Sequence, residues 1–198
     1  MKLIAAVMLF VGFAAHAAEQ PVYQIVQLTE TLEVRRYEPF VVAEVVVAAA
    51  EDEAAERAFS MLVGYIYGQN SDDRKFELTS PVMQMTLPSK SALVTPTQSE
   101  NRDELLVQFL MPKAYPLSAL PRPLDPRVKL REVPSQRLAV IQYSGSWSQS
   151  NYGEHLEILK QALANAGIAI QGEPIFARYD SSFTPWFLRT NEIWLKVQ

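Results

Sequence analysis

The fold is inferred first from the end of the chain, where residues 179–197 read YDSSFTPWFLRTNEIWLKV. The last part of this stretch alternates, so that Ile193, Leu195 and Val197 share one face of an extended segment. A period of two is typical of a half-buried β-strand. Pro185 and the aromatic residues around it indicate a turn, because proline cannot continue a helix. The stretch therefore predicts a terminal strand that follows an aromatic turn.

Two earlier segments show the same order of predicted elements. In the first, the β-branched, apolar residues 40–47 predict a strand. An amphipathic helix begins near Asp52 and ends at Gly68, a residue type that favours helix termini. Two further strands, at about residues 75–86 and 103–111, complete this half.

The second half repeats that order. Residues 137–143 predict a strand, and Ser150 is the predicted N-cap of a helix that ends at Gly167. Strands at 174–179 and 191–197 follow. Neither half could bury its sheet alone, so we expect both to form one domain.

The repeated pattern predicts an α+β fold in which two βαββ halves form a curved, mostly antiparallel sheet covered by two helices. Residues 111–126 contain five prolines and are interpreted as a stiff connector between the halves rather than a domain boundary.

Residues 1–17 have the pattern of a secretory signal peptide. Lys2 precedes an apolar run over residues 3–15, and an Ala-His-Ala cleavage pattern ends at Ala17. The run is short of the roughly 20 residues that a membrane span needs, although an uncleaved anchor is the alternative. We expect a periplasmic or secreted protein whose single domain covers residues 18–198, with no stable membrane insertion after cleavage.

Charge and composition narrow the range of partners. Removal of Lys2 leaves 17 basic and 22 acidic residues, a net charge of −5. An acidic chain without a basic stripe argues against nucleic acid as a partner. The absence of cysteine excludes disulfides. The absence of heptads and the acidic surface predict a monomer.

No catalytic constellation is found in the sequence. Once the signal peptide is removed, His155 is the only histidine, which leaves little for a Ser–His–acid triad or a His/Cys metal site. The seven glycines form no phosphate-binding motif. Asp72 and Asp73 are interpreted as solvated loop acids. We therefore predict a binding protein rather than an enzyme, with a hydrolase as the alternative.

Three motifs resemble the SOUL haem-binding family. Residues 189–192, RTNE, resemble the family's C-terminal Arg-Arg-Asn-Glu, which also follows an aromatic and proline turn. Residues 75–82, KFELTSPV, resemble its KIAMTAPV motif, and residues 32–39, LEVRRYEP, resemble its opening. The three motifs occur in the family's order and cover residues 18–198 from end to end. The chain is identified as a member on this basis.

The resemblance implies a distorted β-barrel flanked by two helices. It also implies that haem or a related porphyrin, a small-molecule tetrapyrrole, binds non-covalently in an apolar groove beside the first helix. Basic side chains would then contact the ligand's propionates. The predicted groove residues are Phe59, Leu62, Val63, Ile66 and Tyr67, and the predicted basic residues are Arg57, Arg74 and Lys75.

Axial ligation of the haem iron is considered for two residue types. Met83 and Met85 lie two apart, so they share one face of a strand and are interpreted either as core residues or as soft iron ligands. His155 lies between charged residues and is interpreted as a surface residue rather than an axial ligand. We expect a site that depends little on axial bonds.

A second ligand class remains open at this point. Two βαββ halves also occur in GyrI-like modules, which bind amphipathic or cationic small molecules. Arg189 and Glu192 are interpreted as an ion pair that serves folding, with Asn191 capping a turn. Glu192 would instead indicate a cation site if it were buried without a partner.

Overall fold

The computed structural model describes residues 18–30, 32–48, 51–87 and 104–198. The predicted signal peptide, residues 1–17, lies outside the described residues. The strands are β1 (Tyr23–Leu28), β2 (Glu33–Tyr37), β3 (Phe40–Ala48), β4 (Val82–Leu87), β5 (Glu104–Leu110), β6 (Lys129–Val133), β7 (Gln136–Ser144), β8 (Ile170–Arg178) and β9 (Thr190–Val197). The helices are α1 (Glu51–Ile66) and α2 (Gln149–Asn165).

The strands form one nine-stranded sheet in the order β1-β2-β7-β9-β8-β4-β5-β3-β6, and the neighbouring strands pair antiparallel. The segments β3-α1-β4-β5 and β7-α2-β8-β9 are the two βαββ halves, and the pairing of β4 with β8 joins them. The predicted α+β architecture, with a curved antiparallel sheet and two helices, is confirmed.

Both helices pack on the same face of this sheet. Helix α1 covers β3 and β5, where Val45 and Val107 face it, and α2 covers β7 and β9, where Ala139 and Leu195 face it. Residues directly opposite each other on paired strands share a face. Val107 lies opposite Gln84 of β4, and the register continues from Gln84 across β8 and β9 to β7. The residues that face α1 and those that face α2 therefore lie on the same face of the sheet.

The opposite face of the sheet curls around a separate core. This interior cluster includes Tyr37, Met83, Leu138 and Trp194, all of which are fully buried. Since it contains side chains from β2, β3, β4, β7, β8 and β9, the curl brings both halves of the sheet together around it. The molecule therefore has two helix–sheet cores outside the curl and one core within it.

Three strands were not predicted from the sequence. Strand β1 is an edge strand whose apolar residues are largely exposed, and a bulge at Val26 interrupts its pairing with β2. Strand β6, the opposite edge, has the sequence KLREV and buries only Val133. Strand β2 is short, and its burial depends on the distant pairing with β7. Edge strands carry weak local signals because one side of each strand has no neighbour.

Three boundaries differ from the sequence predictions, and one of them is the start of β8 at Ile170 rather than at residue 174. The predicted strand 75–86 begins only at Val82; residues 75–81 are a loop, and the Phe76 amide donates to the Ile66 carbonyl at the end of α1 instead of to a neighbouring strand. Ser148, not Ser150, is the N-cap of α2, and its side chain accepts a hydrogen bond from the Asn151 amide.

Candidate ligand-binding site

Helix α1 ends as its sequence predicts. Gly68 has a φ of +111°, a left-handed conformation that glycine adopts without steric cost. The amides of Tyr67 and Gln69 donate to the carbonyls of Val63 and Gly64, which satisfies the last turn. The end of α1 is therefore well defined.

The predicted groove residues divide into two sets. Leu62 and Ile66 are fully buried against the sheet, so both belong to the core beneath the helix. Phe59 is 47% exposed and packs edge-on against Phe109 of β5, and Tyr67 is 54% exposed. Val63 is half-buried. We call Phe59, Val63 and Tyr67 the exposed flank of α1, because these side chains keep surface that a ligand can contact.

Two of the predicted basic residues lie away from this flank. At about 100° per residue, Arg57 and Phe59 point about 160° apart around the helix. Arg74 donates to the Ala119 carbonyl at 3.3 Å and lies 3.7 Å from Asp72, on the side of the proline-rich connector. Lys75 is exposed in the loop after the helix. The structure therefore does not bring Arg57 or Arg74 together with the exposed flank.

Met83 and Met85 face the other side of the sheet. Met83 is opposite Gln108 and Ala177 and packs with Trp194 in the interior core. Met85 lies two residues further along the same face. Because the sheet separates them from α1, these methionines and the helix residues do not line one site.

The two helices are far enough apart to leave a gap. Helix α1 lies over β3 and β5 and α2 over β7 and β9, so four strand steps of about 4.8 Å separate the helix centres by about 19 Å. Helices in direct contact are about 8–10 Å apart. If the sheet were flat, and allowing about 11 Å for the diameter of a helix with its side chains, this spacing would leave roughly 8 Å between the two helices above β4 and β8.

The floor of this interhelical gap carries a cation that sequence reasoning missed. Arg178 ends β8 opposite Val82 of β4, and Val82 is opposite Phe109, against which Phe59 packs. The Arg178 guanidinium lies 4.6 Å from the Trp147 ring and 4.7 Å from the Phe176 ring. The position of Arg178 depends on the pairing of β4 with β8, which joins residues almost 100 positions apart. No local sequence pattern could have predicted that pairing.

The aromatic turn between β8 and β9 presents apolar side chains to solvent. Phe183 is 94% exposed, and Trp186, Phe187 and Leu188 are also exposed. Arg189 holds the turn, since it donates to the carbonyls of Thr184 and Ser182, each at 2.8 Å. The predicted ion pair between Arg189 and Glu192 is therefore wrong, because the guanidinium is used within its own turn. Asn191 is buried and accepts a hydrogen bond from the indole of Trp147.

Glu192 points into the interior of the curled sheet and is 4% exposed. Its carboxylate accepts hydrogen bonds from Arg35 at 2.9 Å and from the Tyr179 hydroxyl and the Trp194 indole, both at 2.7 Å. Burial and the neighbouring Glu192 charge raise the pKa of Tyr179 far above its ordinary value, so its hydroxyl stays a donor. Glu192 is therefore buried but paired.

His155 is held by protein contacts. Its ring stacks on Tyr143 at 4.2 Å, and its Nδ1 lies 2.8 Å from the Asn151 carbonyl oxygen. Within the described ranges, no group of three or more His, Cys, Asp or Glu side chains is placed to hold a metal ion. The helices of that same part of the chain are also too short or too polar to cross a membrane.

Comparisons with known proteins agree with this architecture. A family model described as SOUL heme-binding protein matches residues 18–196. The Mus musculus protein named Heme-binding protein 2 is 28% identical over 166 residues, which are 82% of this chain and 76% of that protein.

Two solved structures have a similar fold. An uncharacterized conserved protein from Listeria innocua superposes with a TM-score of 0.65 at 11% identity, over 86% of this chain and 93% of that one. The EcmrR C-terminal domain superposes with a TM-score of 0.59 at 10% identity, over 89% and 98%. At these identities the likeness concerns the fold alone.

Proposed function

Because the chain belongs to the SOUL heme-binding protein family, we propose that it holds haem or a related tetrapyrrole in the gap between α1 and α2. The motif resemblance found in the sequence is confirmed by the family match. We also propose that the protein is an exported, monomeric carrier rather than an enzyme, which rests on the sequence of residues 1–17 and on the lack of a catalytic constellation.

The observation that carries the proposed site is the exposed flank of α1 beside the interhelical gap. Since stacked carbon atoms lie about 3.5–4 Å apart, a planar ring between two side-chain surfaces is only about 3.5 Å thick. A spacing of roughly 8 Å between the helix surfaces is therefore wide enough to admit one ring standing between the helices. Phe59 and Val63 would contact one face, and Tyr152 and Leu156 of α2, which pack towards Phe176, lie on the other side. Apolar contact over both faces is the main source of affinity for such a ligand.

Arg178 is the cation best placed for a propionate. Its guanidinium stacks on the rings of Trp147 and Phe176, and the planar guanidinium group matches the geometry of a carboxylate along its edge. The half-buried position beside Val82 strengthens a charge-assisted hydrogen bond relative to one in bulk water. Lys75 remains a predicted contact from the resemblance. Arg57 is not proposed as a contact, because it points away from the exposed flank, and Met83 and Met85 are not proposed because the sheet separates them from it.

A hemin titration of purified protein tests this function. Saturable binding should shift the Soret band, and Phe59→Glu should weaken binding by at least about tenfold, because it places a charge against the apolar ring. Ile158→Glu on α2 is the matched control, since Ile158 is 49% exposed like Phe59 but projects from the flank of α2 that turns away from the gap.

Two outcomes would contradict the proposal. An unchanged hemin spectrum in the presence of wild-type protein would show that the protein does not bind haem. Equal weakening of hemin binding by Phe59→Glu and Ile158→Glu would show that the ligand does not bind in the gap between the helices. The GyrI-like alternative requires a buried Glu192 without a partner. In the structure Glu192 forms an ion pair with Arg35, which argues against that alternative.

A further inference from the structure

The turn between β8 and β9 carries an exposed apolar surface that the proposed ligand site does not use. Residues 181–188, SSFTPWFL, contain no charged side chain. Four large apolar side chains in this segment are 58–94% exposed: Phe183, Trp186, Phe187 and Leu188. We call these four residues the aromatic tip. Single exposed apolar residues need no explanation, but a group of them on one segment marks a contact with another apolar surface.

The backbone of the turn pairs its polar groups within the chain. Three amides donate to carbonyls three residues earlier in the turn, namely those of Thr184, Leu188 and Arg189. The Arg189 side chain donates to the carbonyls of Ser182 and Thr184, and its guanidinium carbon lies 4.2 Å from the centre of the Trp147 ring. Pro185 has no amide to satisfy. Backbone groups that are paired in this way can leave water at low cost, which insertion into lipid requires.

The size and shape of the aromatic tip favour a lipid surface over a protein partner. The side chain of Phe183 is 94% exposed, so the tip is convex rather than a groove. Together the four side chains expose roughly 500–600 Å². A stable protein–protein interface buries about 800 Å² on each partner. Aromatic side chains, tryptophan above all, are enriched where a bilayer meets water, because their rings suit the headgroup level.

We propose that the aromatic tip inserts into the boundary between headgroups and acyl chains of a lipid bilayer and docks the protein reversibly on the membrane surface. Because residues 181–188 carry no charge, burial of apolar surface drives this contact, and attraction to anionic lipid does not. Docking should therefore depend little on salt. The contact uses none of the residues proposed to hold the tetrapyrrole, so the proposal does not rest on haem binding.

Binding of ligand-free protein to phosphatidylcholine vesicles tests the proposal. Trp186 is the exposed member of the three tryptophans, since Trp194 is fully buried and Trp147 is half-buried. Vesicles should shift the tryptophan emission to shorter wavelength, because the Trp186 ring leaves water. Trp186→Phe should lose this shift but still sediment with the vesicles, since phenylalanine keeps an apolar ring at the tip.

Two serine substitutions locate the contact. Phe183→Ser should lower the vesicle partition coefficient by at least about tenfold, because it removes the most exposed ring of the tip. Since Phe183 is 94% exposed, its thermal midpoint should equal that of wild type. Leu28→Ser is the matched control, because Leu28 is 66% exposed on the edge strand β1 and should not affect vesicle binding.

Four results would overturn the proposal. The first is a wild-type protein that does not bind the vesicles, and the second is equal binding by wild type and Phe183→Ser. The third is binding to anionic vesicles alone that is lost at about 1 M salt, which would indicate an electrostatic contact. The fourth is dimerisation of wild type without vesicles that Phe183→Ser abolishes, which would assign the tip to a second copy of the chain. All of these measurements use ligand-free protein, so a failed hemin titration leaves them unaffected.

Discussion

Ser148 begins helix α2 by a side-chain hydrogen bond. Its hydroxyl accepts from the Asn151 amide at 3.2 Å, and its backbone is extended, as an N-cap requires. Ser148→Ala should lower the free energy of unfolding by about 1 kcal/mol, since one amide at the helix start loses its partner. Urea unfolding measures this. Ser150→Ala, two residues further along, should change stability little, and a larger loss at Ser150 than at Ser148 would contradict the assignment.

Tyr65 makes the free energy of unfolding depend on pH in the alkaline range. Burial, opposed by the nearby Arg74 charge, raises the pKa of Tyr65 to about 12. An unfolded tyrosine ionises near pH 10, so the folded state holds this proton where the unfolded state has lost it. The stabilisation is complete below about pH 10 and is lost as the pH rises towards about 12. The group is uncharged below this window, so neutral pH is unaffected.

Removal of that hydroxyl tests the assignment. Tyr65→Phe should lower stability at neutral pH by about 1 kcal/mol, because the hydroxyl donates to the Pro121 carbonyl at 3.1 Å. Its unfolding free energy should then fall less than that of wild type between about pH 9 and pH 11 in urea titrations. Parallel decline of the two proteins would show that folding does not raise the pKa of Tyr65.

Single residues show why the interior could not be predicted from sequence. The contact between Arg35 and Glu192 joins positions 157 residues apart, and it forms only because β2 pairs with β7 and β7 with β9. The local pattern suggested Arg189 as the partner of Glu192, since the two are close in sequence. The register of the strands determines whether Arg35 or Arg189 pairs with Glu192, and that register depends on the whole sheet.

At the scale of the element, helix α1 carries both a core stripe and an exposed flank. The period of 3.6 predicted the helix and its end at Gly68, because both signals are local. It grouped Phe59, Leu62, Val63 and Ile66 on one side of the helix. Which of these would remain exposed depends on where β4 and β5 end beneath the helix, and the helix sequence does not contain that information.

Two substitutions on α1 should separate these roles. Leu62→Ala should lower the free energy of unfolding by about 2–5 kcal/mol, because Leu62 is fully buried and its truncation leaves a cavity. Phe59→Ala should cost less stability, since about half of its side chain is already exposed, while it weakens hemin binding. Chemical denaturation and hemin titration of both variants provide the comparison. Equal stability losses, or a stronger hemin defect in a folded Leu62→Ala, would contradict the division.

At the scale of the molecule, the two βαββ halves place their helices over the outer strand pairs and leave the central pair, β4 and β8, between them. The sequence predicted the halves because each repeats the same local periods. It predicted the curvature of the sheet, but not β1, β2 and β6, which extend the sheet, nor the buried pair of Arg35 and Glu192 in its interior. The gap and the interior therefore form only when the distant strands pair. The gap is apolar and contains one cation, Arg178, whereas the interior contains a buried carboxylate that is paired with Arg35.

The central claim is that the tetrapyrrole binds on the helix-bearing face of the sheet. Gallium protoporphyrin IX, a diamagnetic analogue of haem, shifts methyl signals close to its ring in nuclear magnetic resonance spectra of methyl-labelled protein. We predict large shifts for Val63 and Val82, which border the gap, and small shifts for Met83 and Val140 in the interior core. Large shifts at Met83 and Val140, with Val63 and Val82 unchanged, would contradict the account.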